Sequence, residues 1–248
     1  MSTIVSATEM GMLDDVERLR IISHNLANVG TVGFKRELAV TRPFEEQMTE
    51  AGVSAETAAP SGLPLTTTVT SYIDRSPGTL THTGNPLDLA VEGNNAYFVI
   101  DTGQQEAYTR QGTFRLDADG QLVTVSGQPV VTTAGDIRLT GPTPVIDTQG
   151  NIRDNGSIVG QLKLVTVADP QSLQEVGNGL YMAPDSTTAE IADTARVRQG
   201  FTEAANVITM NEMIRMIETV RHFEASQKLL QGYDSMLDRA ISDLGSLQ

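Results

Sequence analysis

The 248-residue chain has no cysteine and no tryptophan, and aromatic residues make up only 4% of it. Without cysteine there is no disulfide framework, no thiolate metal site and no cysteine nucleophile. So few rings are lean material for an aromatic-lined ligand pocket. No stretch approaches the ~18 consecutive apolar residues of a membrane-spanning helix. The first residues, MSTIVSATEMGMLDDVERLR, lack the basic and apolar regions of a cleaved signal peptide. Bases are also scarce, with 17 Lys and Arg against 31 Asp and Glu and a formal net charge of −14. An acidic chain of this kind argues against a nucleic-acid partner, because phosphate binding needs a basic surface.

Where the charge and the proline sit is more informative than their totals. Residues 1–40 hold five acids and four bases, and residues 207–248 hold six and four, leaving twenty acids against nine bases between them. The ends are therefore nearly neutral, and self-repulsion is weakest where they would associate. All ten prolines fall between Pro43 and Pro184, so both ends are free of the strongest helix breaker. Within those limits lie short β-type runs: Leu87–Val91, Ala96–Ile100, Gln121–Val125, Gly160–Val167 and Gly179–Ala183. Turn signals separate them at Gly93-Asn94-Asn95, Asp117-Ala118-Asp119-Gly120, Thr148-Gln149-Gly150-Asn151 and Asp154-Asn155-Gly156. Such spacing predicts a mainly antiparallel β domain over residues 75–200. The polar, small-residue-rich stretch within residues 37–74 reads as an extended or partner-ordered connector.

The ends carry a different period. Val5, Met12, Leu19 and Leu26 recur every seven residues, with Val16 and Ile22 on the adjoining face. Met216, Phe223, Leu230, Leu237 and Leu244 do the same, and Tyr233, Ala240 and Leu247 follow three residues after the last three. A strict seven-residue repeat favours a left-handed coiled-coil seam over a single-helix stripe. The C-terminal helix is expected from about Val207 to Leu244, capped by Asn206, and the N-terminal one to stop near Asn28 and Gly30. At roughly ~55 Å the former is too long to be buried by one small β domain, so it needs partner helices. Periodicity alone fits equally a two-helix layer on a globular domain. The predicted class is α+β: paired terminal helices, 1–36 and 201–248, carrying the β domain.

Two stretches narrow the reading. Ser23-His24-Asn25-Leu26-Ala27-Asn28-Val29-Gly30-Thr31-Val32-Gly33-Phe34-Lys35-Arg36 resembles the N-terminal signature of the flagellar basal-body rod and hook family. Gly200-Phe201-Thr202-Glu203-Ala204-Ala205-Asn206-Val207, then Glu212-Met213-Ile214-Arg215-Met216-Ile217 and Arg221-His222-Phe223-Glu224, is similar to its C-terminal pattern. A weaker echo, Tyr108-Thr109-Arg110-Gln111-Gly112 with Asp117–Gly120, matches the family's central region. Singly, each motif is cap and turn chemistry; their co-occurrence at both ends is specific. The resemblance implies a structural subunit of the rod, spanning the periplasm, whose terminal helices form an inner tube with the β domain outward. It implies as partners other copies, other rod subunits and the flagellar type III export apparatus, with export without a cleaved signal. Modest length and the Arg221-His222-Phe223-Glu224 variant of the motif favour the proximal-rod type over the distal-rod and hook types.

No catalytic pattern competes. The chain has no G-x-S-x-G elbow, no phosphate-binding P-loop and no G-x-G-x-x-G fingerprint. A metal site would need His24 and His222 to meet across the helices near Glu224. Asp117-x-Asp119-Gly120 fits a hairpin turn better than a calcium loop. No cofactor and no small-molecule substrate are expected. Two readings from other classes fit the composition: a secreted β-domain binding module on a helical stalk, and a hydrolase using carboxylates scattered in the sequence. The expected assembly interface is Val5, Met12, Leu19, Leu26, Met216, Phe223, Leu230, Tyr233, Leu237, Ala240 and Leu244.

Overall fold

The computed structural model describes residues 2–43, 67–93, 95–103, 105–135, 137–141, 143–184, 189–192 and 195–245. It is α+β, with one helix at each end and mainly antiparallel strands between. The chain divides into two compact units. A helical unit comprises Met1–Ala27, Glu37–Tyr72 and Ile208–Gln248, and a β unit comprises Asn28–Arg36 and Ile73–Val207. Residues 28–36 thus group with the strands rather than with the helix they follow.

In the helical unit, α1 spans Ser2–Ala27 and α2 spans Thr209–Gly245. The two pack on each other. They run antiparallel, since Asp15 meets His222 while Ile21, Ile22 and Asn25 share a cleft with Glu212, Arg215 and Thr219. Strands Glu37–Pro43 and Thr67–Ile73 pair as a two-stranded ribbon. They give the two ends of the connector a regular structure; residues 44–66 lie outside the described set.

In the β unit a six-stranded sheet holds the centre, in the order Gln174–Gly177, Leu180–Met182, Glu106–Thr109, Ala96–Asp101, Leu164–Val167, Ala189–Ile191. Every pairing in it is antiparallel. Side chains alternate across a strand, and Ala96–Asp101 uses both faces. Ala96, Phe98 and Ile100 enter one apolar core with Leu89, Phe114, Leu122 and Ile152. Tyr97 and Val99 enter a second with Tyr108, Val165 and Tyr181. The continuous apolar run at 96–100 is the signature of such a two-sided strand. Three of the four turn signals join strands paired as hairpins, and the fourth includes Asn94, which lies outside the described residues. Asp117–Gly120 joins the paired strands Phe114–Leu116 and Leu122–Thr124, the Asp117 carboxylate accepting the Asp119 and Gln121 amides. Asn155 and Gly156, at φ 49° and 85°, take the left-handed conformation that a tight hairpin requires.

Candidate assembly interface

The three family-like segments converge in the β unit on one carboxylate. Glu203 is 1% exposed and takes Lys35 Nζ at 2.5 Å on Oε1 and Arg110 Nε at 2.7 Å on Oε2. The Gly78 amide also donates to Oε1. The Lys35 ammonium donates further to the Ser76 carbonyl, and the Arg110 guanidinium to the carbonyls of Gly93, Ala96 and Val91. Burial pushes the Glu203 carboxyl up, but the Arg110 and Lys35 charges outweigh it and hold it below the usual carboxylate range. Burial lowers the Lys35 ammonium, and Glu203 offsets this only in part. Gly33 completes the junction. Its amide donates to the Glu203 carbonyl at 2.7 Å, its φ is 70°, and a Cβ there would lie 2.7 Å from the Arg110 carbonyl carbon. Only glycine suits both demands.

Asn206 is not a helix cap. Helix α2 starts three residues later, and the Asn206 side chain accepts from the Arg36 amide at 2.7 Å. It donates to the carbonyls of Asp74 and Ser76. It thereby ties together three places where the chain crosses into or out of the β unit: after Arg36, before Ile73 and after Val207. Asp74 also holds the Arg36 guanidinium at 2.9 Å. The expected stop at Asn28 and Gly30 is close, because α1 ends at Ala27. Neither of those residues is left-handed, however; Gly33 is the one in the segment that is.

In the helical unit Asn25, 1% exposed, clamps the strand that follows, donating to the Glu37 carbonyl and accepting from the Glu37 amide. The helix pair then carries polar residues on its inner side and large apolar ones on its outer side, beside the ordinary pattern. Among the described side chains of α2, those withdrawn from solvent are Thr209, Glu212, Met216, Thr219, Phe223, Ser226, Leu230 and Tyr233, alternating by three and four. On α1 the buried residues are Asp15, Ile21, Ile22 and Asn25, with Val5, Met12, Leu19 and Leu26 half-buried. Half of this inward lining on α2 is polar. The outward surface carries large apolar side chains among its charged ones: Met10, Leu13 and Val16 on α1, and Met210, Met213, Ile214, Ile217, Val220, Leu229 and Met236 on α2. Of the two residues expected on the face adjoining the heptad stripe, Ile22 is buried and Val16 is 51% exposed.

The expected interface residues are thus divided. Met216, Phe223, Leu230 and Tyr233 face inward within the subunit, Leu237 stands at 36% exposure, and the side chains of Ala240 and Leu244 lie outside the described set. Of the remaining motif residues, Phe34 and Val207 are buried, whereas Ala27, Met213, Ile217, Arg221 and Glu224 are exposed. His24 lies near Glu37 and His222 beside Asp15, so the two histidines have different neighbours. Among the described residues no group of three His, Asp or Glu is placed to hold a metal ion. Of the polar members of the inward line, Glu212 is read from the sequence only as a motif residue, and Thr219 and Ser226 are not read at all, because apolar periodicity does not register them; the three-and-four spacing from Met216 reaches all three.

Comparison with known proteins agrees with these landmarks. Residues 198–243 match the family described as flagellar basal body rod FlgEFG protein C-terminal, and residues 90–160 match the flagellar hook protein FlgE/F/G D1 domain. The chain is similar to the flagellar basal-body rod protein FlgF of Mesorhizobium japonicum, 34% identical over 235 residues that cover 92% of each chain. It is 36% identical to the rod protein FlgG of Buchnera aphidicola from Acyrthosiphon pisum, over 89% of this chain and 92% of that one. It is 32% identical to the FlgF protein of Caulobacter vibrioides, over 92% of each.

Proposed function

From the premise that the chain belongs to the flagellar basal-body rod protein family and is a structural subunit of that rod, we propose that it assembles through the outward face of its helix pair. The observation that carries this is the set of exposed apolar side chains described above. An isolated subunit holds Asp15, Glu212, Thr219 and Ser226 inside its helix pair and Leu13, Val16, Ile214 and Ile217 outside. Large apolar side chains left exposed along both helices are what an interaction surface uses. Further helices, from other copies and other rod subunits, would cover it and build the tube through which exported subunits pass. The seven-residue repeat supports coiled-coil-like packing in that assembly, with Val5, Met12, Leu19, Leu26, Leu237, Ala240 and Leu244 contributing to the seams. Head-to-tail contacts that do not close generate such a tube. In this reading the subunit reaches the periplasm through the flagellar type III apparatus, without a cleaved signal peptide.

Within the family we place the chain with the proximal-rod type, named FlgF in its relatives, over the distal FlgG type, on the Arg221-His222-Phe223-Glu224 variant of the C-terminal motif. The test is a null strain. Basal bodies isolated from it are expected to lack a complete proximal rod, and with it the distal rod and hook. Basal bodies that retain a proximal rod and stop later would assign the chain to the distal type, and normal hooks would remove it from the rod.

A further inference from the structure

The chain crosses into or out of the β unit after Arg36, before Ile73 and after Val207. At each crossing, or one residue from it, stands a member of one polar cluster: Arg36, Asp74 and Asn206. All three belong to the β unit. The Asp74 amide donates to the Arg36 carbonyl at 2.9 Å. The Arg36 guanidinium holds Asp74 Oδ2 from Nε and Nη2, both at 2.9 Å. The second carboxylate oxygen, Oδ1, accepts the Ser76 amide at 3.0 Å. Asn206 closes the ring. Its Oδ1 accepts the Arg36 amide at 2.7 Å, while its Nδ2 donates to the Asp74 carbonyl at 2.8 Å and the Ser76 carbonyl at 3.1 Å. Ser76 Oγ lies 3.2 Å from the same nitrogen.

One primary amide thus bridges partners 170 and 132 residues away in the sequence. The chemistry is particular to asparagine, because a carboxylate has no donor for the two carbonyls and an alanine has neither donor nor acceptor. Arg36, Asp74 and Asn206 are only half-buried, and local opening ordinarily begins in such places. Here each bond holds the groups of the next one in place, so the closed ring is stronger than its bonds taken singly. We infer that Asn206 is a lock that joins the three roots into one cooperative element: the segments leaving the β unit after Arg36, before Ile73 and after Val207 loosen together or not at all. A structural subunit is thereby protected from fraying at one connection while the other two hold. The lock goes beyond the assembly proposed above and does not depend on it.

Hydrogen exchange at single amides of the full-length chain tests this. Asn206→Ala is expected to speed exchange at the amides of Arg36, Asp74 and Ser76 together, by about tenfold or more. Asp74→Asn weakens the pair with the Arg36 guanidinium and leaves in place every bond that Asn206 makes. It should nevertheless speed the Arg36 amide, which the Asp74 side chain does not touch, by about as much. The amides of Gly33 and Ala204, bonded to the carbonyls of Glu203 and Thr79, serve as controls and should keep their wild-type rates. Acceleration confined to the Arg36 amide in Asn206→Ala, and to the Ser76 amide in Asp74→Asn, would overturn the lock and leave three independent connections. Equal acceleration at Gly33 and Ala204 would overturn it too, because Asn206 would then contribute only to the general stability of the β unit. These readings are made on the purified chain, so they fail or succeed separately from assembly through the outward helical face.

Discussion

At the residue scale the molecule turns on Glu203. One carboxylate satisfies two cations and an amide in a site closed to solvent, so the three charges are interdependent. Breaking a buried pair by removing one partner costs more than the pair contributes, because the charge left behind stays buried. Glu203→Gln leaves Lys35 and Arg110 both unbalanced, and is expected to destabilise the β unit by about 3–5 kcal/mol. Lys35→Met leaves the Arg110–Glu203 pair intact and should cost clearly less. Urea unfolding of both variants measures the difference, and equal losses would contradict the account. The same site sets an acid limit. Glu203 and Asp74 are both held below the usual carboxylate range. Their contribution is therefore complete above the unfolded-state value of about 4 and is lost as pH falls through the folded values. Stability followed from neutral to acid pH should drop in that window, and Glu203→Gln should flatten the drop. Lys35, lowered by burial, acts at the alkaline end in the other direction, since its unfolded form binds more proton and stability rises with pH there.

At the element scale, sequence and structure agree on the existence of both terminal helices and differ on what their faces are for. The heptads at Met12, Leu19, Met216, Phe223 and Leu230 mark a real line, but only its apolar members. The alternate positions are Asp15, Glu212, Thr219 and Ser226, invisible to a hydrophobic period. The strands were readable where one strand covers two cores, as at 96–100, and where a turn needs positive φ, as at Asn155-Gly156. The junction of Lys35, Arg110 and Glu203 was not readable as a site. Its members are 168 and 93 residues apart in their pairings, and no local pattern reports that distance. Asn206 reads from the sequence as a local cap, because a sequence shows its neighbours and hides Arg36 and Asp74.

Two predictions belong to these elements. Leu230→Asp puts a charge on the inward line and should lower the stability of the helix pair by about 1–3 kcal/mol. Ile217→Asp, on the outward face, should leave the melting curve of the subunit unchanged. Both should fail to assemble, for different reasons, and thermal melting of the two purified variants separates them. Asn25→Ala removes both bonds to the Glu37 backbone and should cost about 1–3 kcal/mol, read in helix-detected urea unfolding.

For the whole molecule, the acidic excess and the apolar outward face lie in different parts of the chain. The middle carries the surplus of acids, while the ends are close to neutral. Charge keeps the chain soluble through its middle and leaves its ends free to associate. The β unit contains its own two cores and its own ionic junction, drawn from Asn28–Arg36 and Ile73–Val207. Its folding should not depend on the outward helical face being covered. Assembly is the property that depends on it, so a substitution there separates the two. The decisive measurement is the amount of the chain in basal bodies purified from a strain whose own copy carries Leu13→Asp and Ile217→Asp together. Cellular abundance of the chain is measured beside it. Assembly through the outward face predicts normal abundance, at least a tenfold loss from the basal bodies and no swimming. Wild-type incorporation of the double variant would contradict it.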